Sequence, residues 1–202
     1  MRTVLSLPVL ASLLVLPACS DAEKPEETNA EEVITTVELT LTPTTGGTPF
    51  VATWDDTDGD GTPSVDPIVL ADAGTYTLAV RFLNALEDPA EDITTEVDAE
   101  SDEHQVFVTG SAVSGPASTS SGAVVRHAYA DTDANGLPVG LSSTLEALGA
   151  GGGDLVVTLQ HLPAEGGVAV KVAGLAETVA AEGFSAIPGE PDASVTFPLT
   201  VE

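Results

Sequence analysis

The sequence predicts an all-β protein, an Ig-like β-sandwich of about ten short strands with at most short helices. Short apolar runs alternate with polar residues at a period of two, as at Val37, Leu39 and Leu41. The 19 glycines and 14 prolines favour many turns over long helices. Turn-forming residues recur about every 8–15 positions, which is typical of a sandwich.

The N-terminal residues predict an exported, lipid-anchored protein. Residues 1–3 carry one positive charge, residues 4–16 form an apolar segment too short to span a bilayer, and Leu-Pro-Ala-Cys follows. This motif resembles a bacterial lipobox, which implies that residues 1–18 are a lipoprotein signal peptide and that Cys19 receives a diacylglycerol. The alternative is an ordinary secretory signal followed by a chance cysteine. Because Cys19 is the only cysteine, the mature domain is expected to lack an internal disulfide.

Residues 19–32 predict an acidic, disordered tether between the anchor and the domain. This segment has six acids and no large apolar residue. The whole chain has 32 acids against five bases, a formal net charge of −27. Such a surface attracts cations and repels nucleic acid and anionic lipid, so both are excluded as partners of the folded domain. Membrane contact is therefore expected only through the lipid anchor at Cys19.

Residues 33–202 are interpreted as a single β-sandwich domain. A short helix is expected after Asp92, with Ile93 and Val97 on one face, and a helical turn over residues 176–181. Pro198 predicts that the last strand lies at an edge or carries a bulge. The expected strands lie within residues 33–42, 50–54, 68–70, 75–83, 105–108, 123–129, 139–148, 155–162, 168–172 and 194–201.

An acidic sequence occurs twice and suggests two related half-units. Residues 56–63, Asp-Thr-Asp-Gly-Asp-Gly-Thr-Pro, return as residues 131–138, Asp-Thr-Asp-Ala-Asn-Gly-Leu-Pro. An aromatic residue precedes each copy, Trp54 in the first case and Tyr129 in the second. Two tandem domains of about 80 residues are the alternative to one shared core.

The two acidic loops are candidate calcium sites. Alternating carboxylates followed by a glycine open a calcium loop, because the turn brings several oxygen atoms toward one centre. The acid that would complete the first loop comes one residue early, and the second loop carries less charge. The alternative is that these residues are ordinary turn formers. The candidate ligands are Asp56, Asp58, Asp60 and Asp66 in the first loop and Asp131, Asp133 and Asn135 in the second.

The sequence contains no recognised catalytic motif, so a protein that is not an enzyme is expected. There is no nucleophile elbow, metalloprotease motif or phosphate loop. A hydrolase using paired carboxylates ranks last, because so many acids produce chance pairs. The three histidines, His104, His127 and His161, match no zinc spacing and could share a transition metal only if folding brought them together.

Several segments, in their order along the chain, carry a family resemblance. They are residues 33–43, the loop after Trp54, residues 66–68, residues 100–105 and the loop at Asp131. Together they resemble a group of uncharacterised bacterial cell-envelope lipoproteins over most of the folded region. Some members are labelled as type 1 periplasmic binding folds, a larger α/β architecture whose long helices this pattern lacks. The resemblance supplies no catalytic or ligand residues.

The expected function is that of a lipid-anchored cell-envelope protein with a non-catalytic, structural or interaction role and calcium as its expected ion. The expected location is the outer membrane, the periplasmic face or the cell surface, with an envelope protein or a glycan as partner. The alternative is a module that binds a solute or a glycan, with Trp54 and Tyr129 as its contact surface.

Overall fold

The computed structural model describes residues 32–202; the predicted signal peptide, Cys19 and most of the predicted tether lie outside the described residues. No helix within residues 32–202 is long and apolar enough to cross a membrane. The described chain contains thirteen strands, two short α-helices and one 3-10 turn. In order they are β1 (Thr36–Pro43), β2 (Phe50–Asp55), β3 (Ser64–Val65), β4 (Ile68–Leu70), β5 (Thr75–Asn84), β6 (Glu91–Asp92), α1 (Thr94–Ala99), β7 (His104–Thr109), β8 (Val113–Gly115), β9 (Ser118–Thr119), β10 (Val125–Tyr129), β11 (Ser142–Ala147), β12 (Gly151–His161), α2 (Leu175–Glu182), the 3-10 turn (Phe184–Ala186) and β13 (Glu190–Val201).

The strands form two sheets. The larger has nine strands in the order β3-β2-β1-β5-β11-β10-β8-β9, with β6 added on β5, and the smaller has the order β4-β13-β12-β7. Both contain strands from the two halves of the chain, because β11 pairs with β5 and β13 pairs with β4. The prediction of an all-β, sandwich-like fold with only short helices is confirmed.

The main core lies between the two sheets and follows directly from the period-two pattern. Alternate residues of β5 are buried while their neighbours are exposed, and β13 repeats this alternation from the facing sheet. Burial of each large apolar side chain contributes about 1.5–3 kcal/mol, so these two strands supply much of the stability. Their buried residues are Tyr76, Leu78, Val80 and Phe82 in β5 and Val195, Phe197, Leu199 and Val201 in β13.

A second, smaller core lies on the opposite face of the smaller sheet. Phe107 of β7 packs there with Leu175 and Val179 of α2. The expected strand over residues 168–172 is wrong: this stretch makes only an isolated bridge between Glu165 and Val168. Val168 and Val172 are exposed, whereas Val170 packs against the second core without forming a strand.

Both acidic loops lie at the same end of the larger sheet. The first follows β2 and the second follows β10, and each leads back into a paired strand. Strands β2 and β10 are each separated from β5 by one antiparallel neighbour, so β2, β5 and β10 run in the same direction. The apolar strands that follow the loops, β5 and β12, lie in different sheets. The two half-units therefore share a hairpin with an acidic loop, but not a common arrangement of strands.

Candidate functional site

The first acidic loop brings three of its four predicted ligands together. Asp56, Asp58 and Asp60 each offer a carboxylate oxygen, and these oxygens lie within 4.8 Å of one another. The turn depends on Gly59 and Gly61, which have φ angles of 64° and 74° that favour glycine. Asp56 Oδ1 is buried without a hydrogen-bond partner among the described residues. Such a group of oxygen donors suits a hard cation such as Ca²⁺.

The fourth predicted ligand, Asp66, lies apart from this group. Its Oδ2 accepts a hydrogen bond from the backbone N–H of Thr53 at 3.1 Å, and its own N–H donates to the Thr53 carbonyl at 2.9 Å. These two bonds hold the end of the β2–β3 hairpin. The first loop therefore presents three acids to a cation, with Asp66 engaged by the neighbouring strand.

In the second loop the carboxylates are engaged by the chain itself. Asp131 accepts the N–H groups of Gly140 and Ser142, both at 2.7 Å. Oδ1 of Asp133 accepts the N–H groups of Asn135 and Leu137, at 2.8 and 2.9 Å. The side chain of Asn135 is exposed. These bonds fix the loop that leads from β10 into β11.

Lys171 supplies the positive charge at this second loop. Its Nζ lies 3.0 Å from Asp133 Oδ2, and neither side chain is exposed to solvent. The same ammonium group donates to the carbonyl of Ser101 at 2.6 Å. Burial raises the pKa of Asp133, but the N–H of Leu137 and the Lys171 ammonium outweigh it and lower the pKa below its usual value. A lysine thus neutralises the acid that was predicted to bind calcium.

The two aromatic residues beside the loops lie in different surroundings. Trp54 is half-buried and packs against the main core. The Tyr129 hydroxyl donates to the carbonyl of Val106 at 3.1 Å and accepts from Gln105 Nε2 at 3.2 Å, and burial raises the pKa of Tyr129 to about 12. Four strand spacings separate β2 from β10, so these two strands lie about 19 Å apart across the sheet.

Two of the three histidines meet at one end of the smaller sheet. His104 and His161 are register partners of β7 and β12, and their rings stack with centroids 4.6 Å apart and planes 8° from parallel. His104 Nε2 lies 3.7 Å from Asp192 Oδ2, and His161 Nδ1 lies 3.9 Å from Asp192 Oδ1. His127 is in the larger sheet, where its Nε2 contacts the Ser143 hydroxyl at 3.0 Å and burial lowers its pKa to about 4.

The sequence did not lead us to predict Asp192, which a β-bulge places beside His104 and His161. In the pairing of β12 with β13, Leu159 faces Ala193 but Gln160 faces Pro191, so Asp192 is the extra residue. A bulge turns the side chain of its extra residue away from the normal alternation, and bulges are common next to functional sites. Pro191 is the local signal, since proline in a strand often marks a bulge.

Further acids lie beside the histidine pair. Glu32, Glu100 and His104 form another group whose ligand atoms lie within 4.8 Å of one another. Burial, followed by the charges of Glu96 and Asp192, raises the pKa of Glu32 to about 7. Negative charge therefore accumulates at this end of the sandwich, where a bound cation would relieve the repulsion.

Among known proteins, no family model matches the chain, and no curated protein or solved structure gives a significant match. The resemblance to envelope lipoproteins therefore stays a prediction. The function is inferred from the chain's own residues, from the lipobox-like motif to the side-chain clusters of the folded domain.

Proposed function

We propose that this chain is a lipid-anchored protein of the cell envelope whose sandwich domain has a non-catalytic, structural or interaction role. The observation that carries this proposal is the lipobox-like motif ending in Cys19, the only cysteine of the chain. Two or three acyl chains on one residue attach a protein stably to a membrane, where a single chain does not. The acidic residues 20–32 would hold the domain away from the lipid surface.

The charge distribution supports an interaction role with a cationic partner. The domain's basic side chains are all in ion pairs: Arg81 with Glu38 and Asp92, Arg126 with Glu146, and the buried Lys171 with Asp133. The surface of the described residues is therefore acidic almost throughout. Such a surface favours a basic envelope component, or a partner reached through divalent cations, and repels anionic ones.

The anchor is tested by metabolic labelling of the full chain with an alkyne fatty acid in a bacterial host. We expect the wild-type chain to carry the label and to sediment with the membrane fraction. The Cys19→Ser variant should lose the label, because serine has no thiol for diacylglycerol transfer. A label that persists in Cys19→Ser, or a wild-type chain without one, would remove the basis of the proposal.

A second candidate function is binding of a small solute or a glycan, favoured by a cavity beside Tyr129. The cavity has a volume of about 240 Å³ and is lined by Gln105, Tyr129, Leu137 and Leu175 among others. Drug-sized ligands occupy about 300–1,000 Å³, so this space suits a ligand of monosaccharide size. The Tyr129 hydroxyl and the Gln105 amide are the polar groups that would orient it.

The second candidate is tested by titrating a panel of monosaccharides into the full chain by calorimetry. We expect Tyr129→Phe to weaken binding about tenfold, since a lost hydrogen bond of about 1.4 kcal/mol corresponds to that factor. Trp54→Phe is the matched control, because Trp54 does not line the cavity, and it should bind as the wild type does. Equal affinity in both variants would rule out this cavity as the binding site.

A further inference from the structure

A polar cluster at the end of the main core is not used by the proposed function. His104 is the first residue of β7, His161 the last residue of β12, and Asp192 the bulged residue of β13. These strands are neighbours in the smaller sheet. On β7 and β12, the histidines share the inward face with Val106 and Leu159, which belong to the main core. Three chemically active side chains are thus held together by three strands.

The hydrogen bond made by His104 locates its proton. Nδ1 lies 3.2 Å from the carbonyl oxygen of Glu100, which can only accept, so Nδ1 is the atom that carries hydrogen. In this tautomer of the neutral ring, Nε2 keeps its lone pair. This Nε2 is fully buried and has no hydrogen-bond partner among the described residues. A buried acceptor in this state is unfavourable unless a cation or a donor fills the space before it.

The atom that faces Nε2 cannot fill this role. It is the carboxylate oxygen Oδ2 of Asp192, 3.7 Å away, which is also an acceptor. The other carboxylate oxygen faces Nδ1 of His161 at 3.9 Å. Two ring nitrogens and a carboxylate therefore surround a common point inside the protein, with side-chain exposures of 0%, 12% and 3% for His104, His161 and Asp192.

We propose that His104, His161 and Asp192 form a binding site for a divalent transition metal, with Zn²⁺ as the expected ion. Imidazole nitrogens with a carboxylate suit Zn²⁺, whereas Ca²⁺ and Mg²⁺ prefer oxygen ligands. In a tetrahedral zinc site, ligand atoms lie about 3.3–3.6 Å apart, as bond lengths of about 2.0–2.2 Å require. The separations of 3.7 and 3.9 Å are only slightly longer.

Binding requires one small rearrangement. The stacked rings are nearly parallel, so their lone pairs converge on one ion only when a ring tilts. His161 is the more exposed of the two histidines and is therefore the ring that moves. Glu32 belongs to a separate group with Glu100 and His104 and is not one of the three ligands. The ion would then join β7, β12 and β13 as a structural centre.

The site is tested with Zn²⁺ alone, in competition with a chromophoric chelator, on the full chain carrying Cys19→Ser in detergent. The serine excludes zinc binding by the Cys19 thiol in any chain that has not received the lipid. We expect one high-affinity Zn²⁺ per chain, and His161→Gln and Asp192→Asn should each weaken it at least tenfold. The matched control Glu177→Gln/Glu182→Gln removes two exposed acids from α2 and should leave zinc affinity unchanged.

A second measurement does not depend on a folded variant. On addition of Zn²⁺, the nitrogen-15 resonance of His104 Nε2 should move while Nδ1 keeps its proton, and that of His127 should stay unchanged. Zinc affinity that survives His161→Gln, or that falls equally in the α2 control, would show adventitious binding to the acidic surface. A wild-type chain that binds no zinc would leave His104 and Asp192 as a simple buried pair and overturn the proposal.

Discussion

Lys171 is a buried basic side chain in a domain whose charged residues are mostly acidic. Its ammonium group contacts Asp133 at 3.0 Å and the Ser101 carbonyl at 2.6 Å. A buried charge is tolerated only when it is paired and hydrogen-bonded, and both conditions hold here. The pair therefore fixes the irregular segment before α2 against the second acidic loop.

Removing Lys171 should strongly destabilise the domain. We expect Lys171→Met to lower the free energy of unfolding by about 3–5 kcal/mol, because Asp133 is left as a buried, uncompensated charge. Asp133→Asn added to it should restore part of the loss. The matched control is Arg126→Met, which breaks an exposed ion pair with Glu146 and should cost about 1 kcal/mol or less. Urea unfolding measures all three variants, and equal losses in Lys171→Met and Arg126→Met would contradict this account.

The same pair predicts the direction of a pH effect. The pKa of Asp133 is lowered in the folded state. Its contribution to the free energy of unfolding is therefore complete above the unfolded-state pKa of about 3.9, and it is lost as the pH falls through the lower folded-state pKa. Part of the acid sensitivity below about pH 4 should therefore disappear in Lys171→Met.

At the scale of elements, the first acidic loop differs from the second in what satisfies its charge. Backbone N–H groups bond to carboxylates in both loops, but the second loop also has Lys171, whereas the first gathers Asp56, Asp58 and Asp60 with no basic residue within the loop. The loop that most resembled a calcium site in the sequence is thus also the one whose carboxylates converge. Of the two acidic loops, only the first is expected to bind a cation.

Calcium should stabilise the domain through this first loop. For a dissociation constant of about 1 mM, 10 mM Ca²⁺ adds about 1.4 kcal/mol, or about 3–6 °C in Tm. A thermal melt should show this shift with Ca²⁺ but not with Mg²⁺, and Asp58→Asn/Asp60→Asn should abolish it. The matched control Glu177→Gln/Glu182→Gln removes two exposed acids of α2 and should keep the shift. An equal shift with either ion, or in the loop variant, would assign the effect to general surface charge.

Helices and strands were predictable where their sequence signals lie within a few neighbouring residues. The helix after Asp92 and the turn over residues 176–181 appear as α1 and α2. Pro198 predicted an edge strand or a bulge, but β13 lies between β4 and β12, and its bulge is at Asp192, beside Pro191. Pro198 lies just before the part of β13 that pairs with β4, where no N–H is needed on that side. Residues 168–172 have the composition of a strand, but a strand forms only where a partner edge is available, and composition does not encode this.

At the scale of the whole molecule, the period-two pattern predicts the class of fold but not the pairing. The repeated acidic sequence suggested two related half-units, yet the long apolar strands that come after the two loops, β5 and β12, lie in different sheets. The meeting of His104 with His161 follows from the register between β7 and β12, so no local spacing could reveal it. The position of Asp192 beside them depends in addition on the β-bulge, which adds one residue to β13. The class of fold can therefore be predicted from patterns among neighbouring residues. The candidate zinc site cannot, because it depends on pairing between strands that are far apart in the sequence.

The position of β13 in the smaller sheet has a consequence for how the chain acquires its structure. This strand lies between β4 and β12, so it joins an early segment to a late one. The smaller sheet cannot close until residues 190–201 are available to pair, and pairing between distant segments folds slowly. Until then the chain would remain open, with its apolar strands accessible to chaperones.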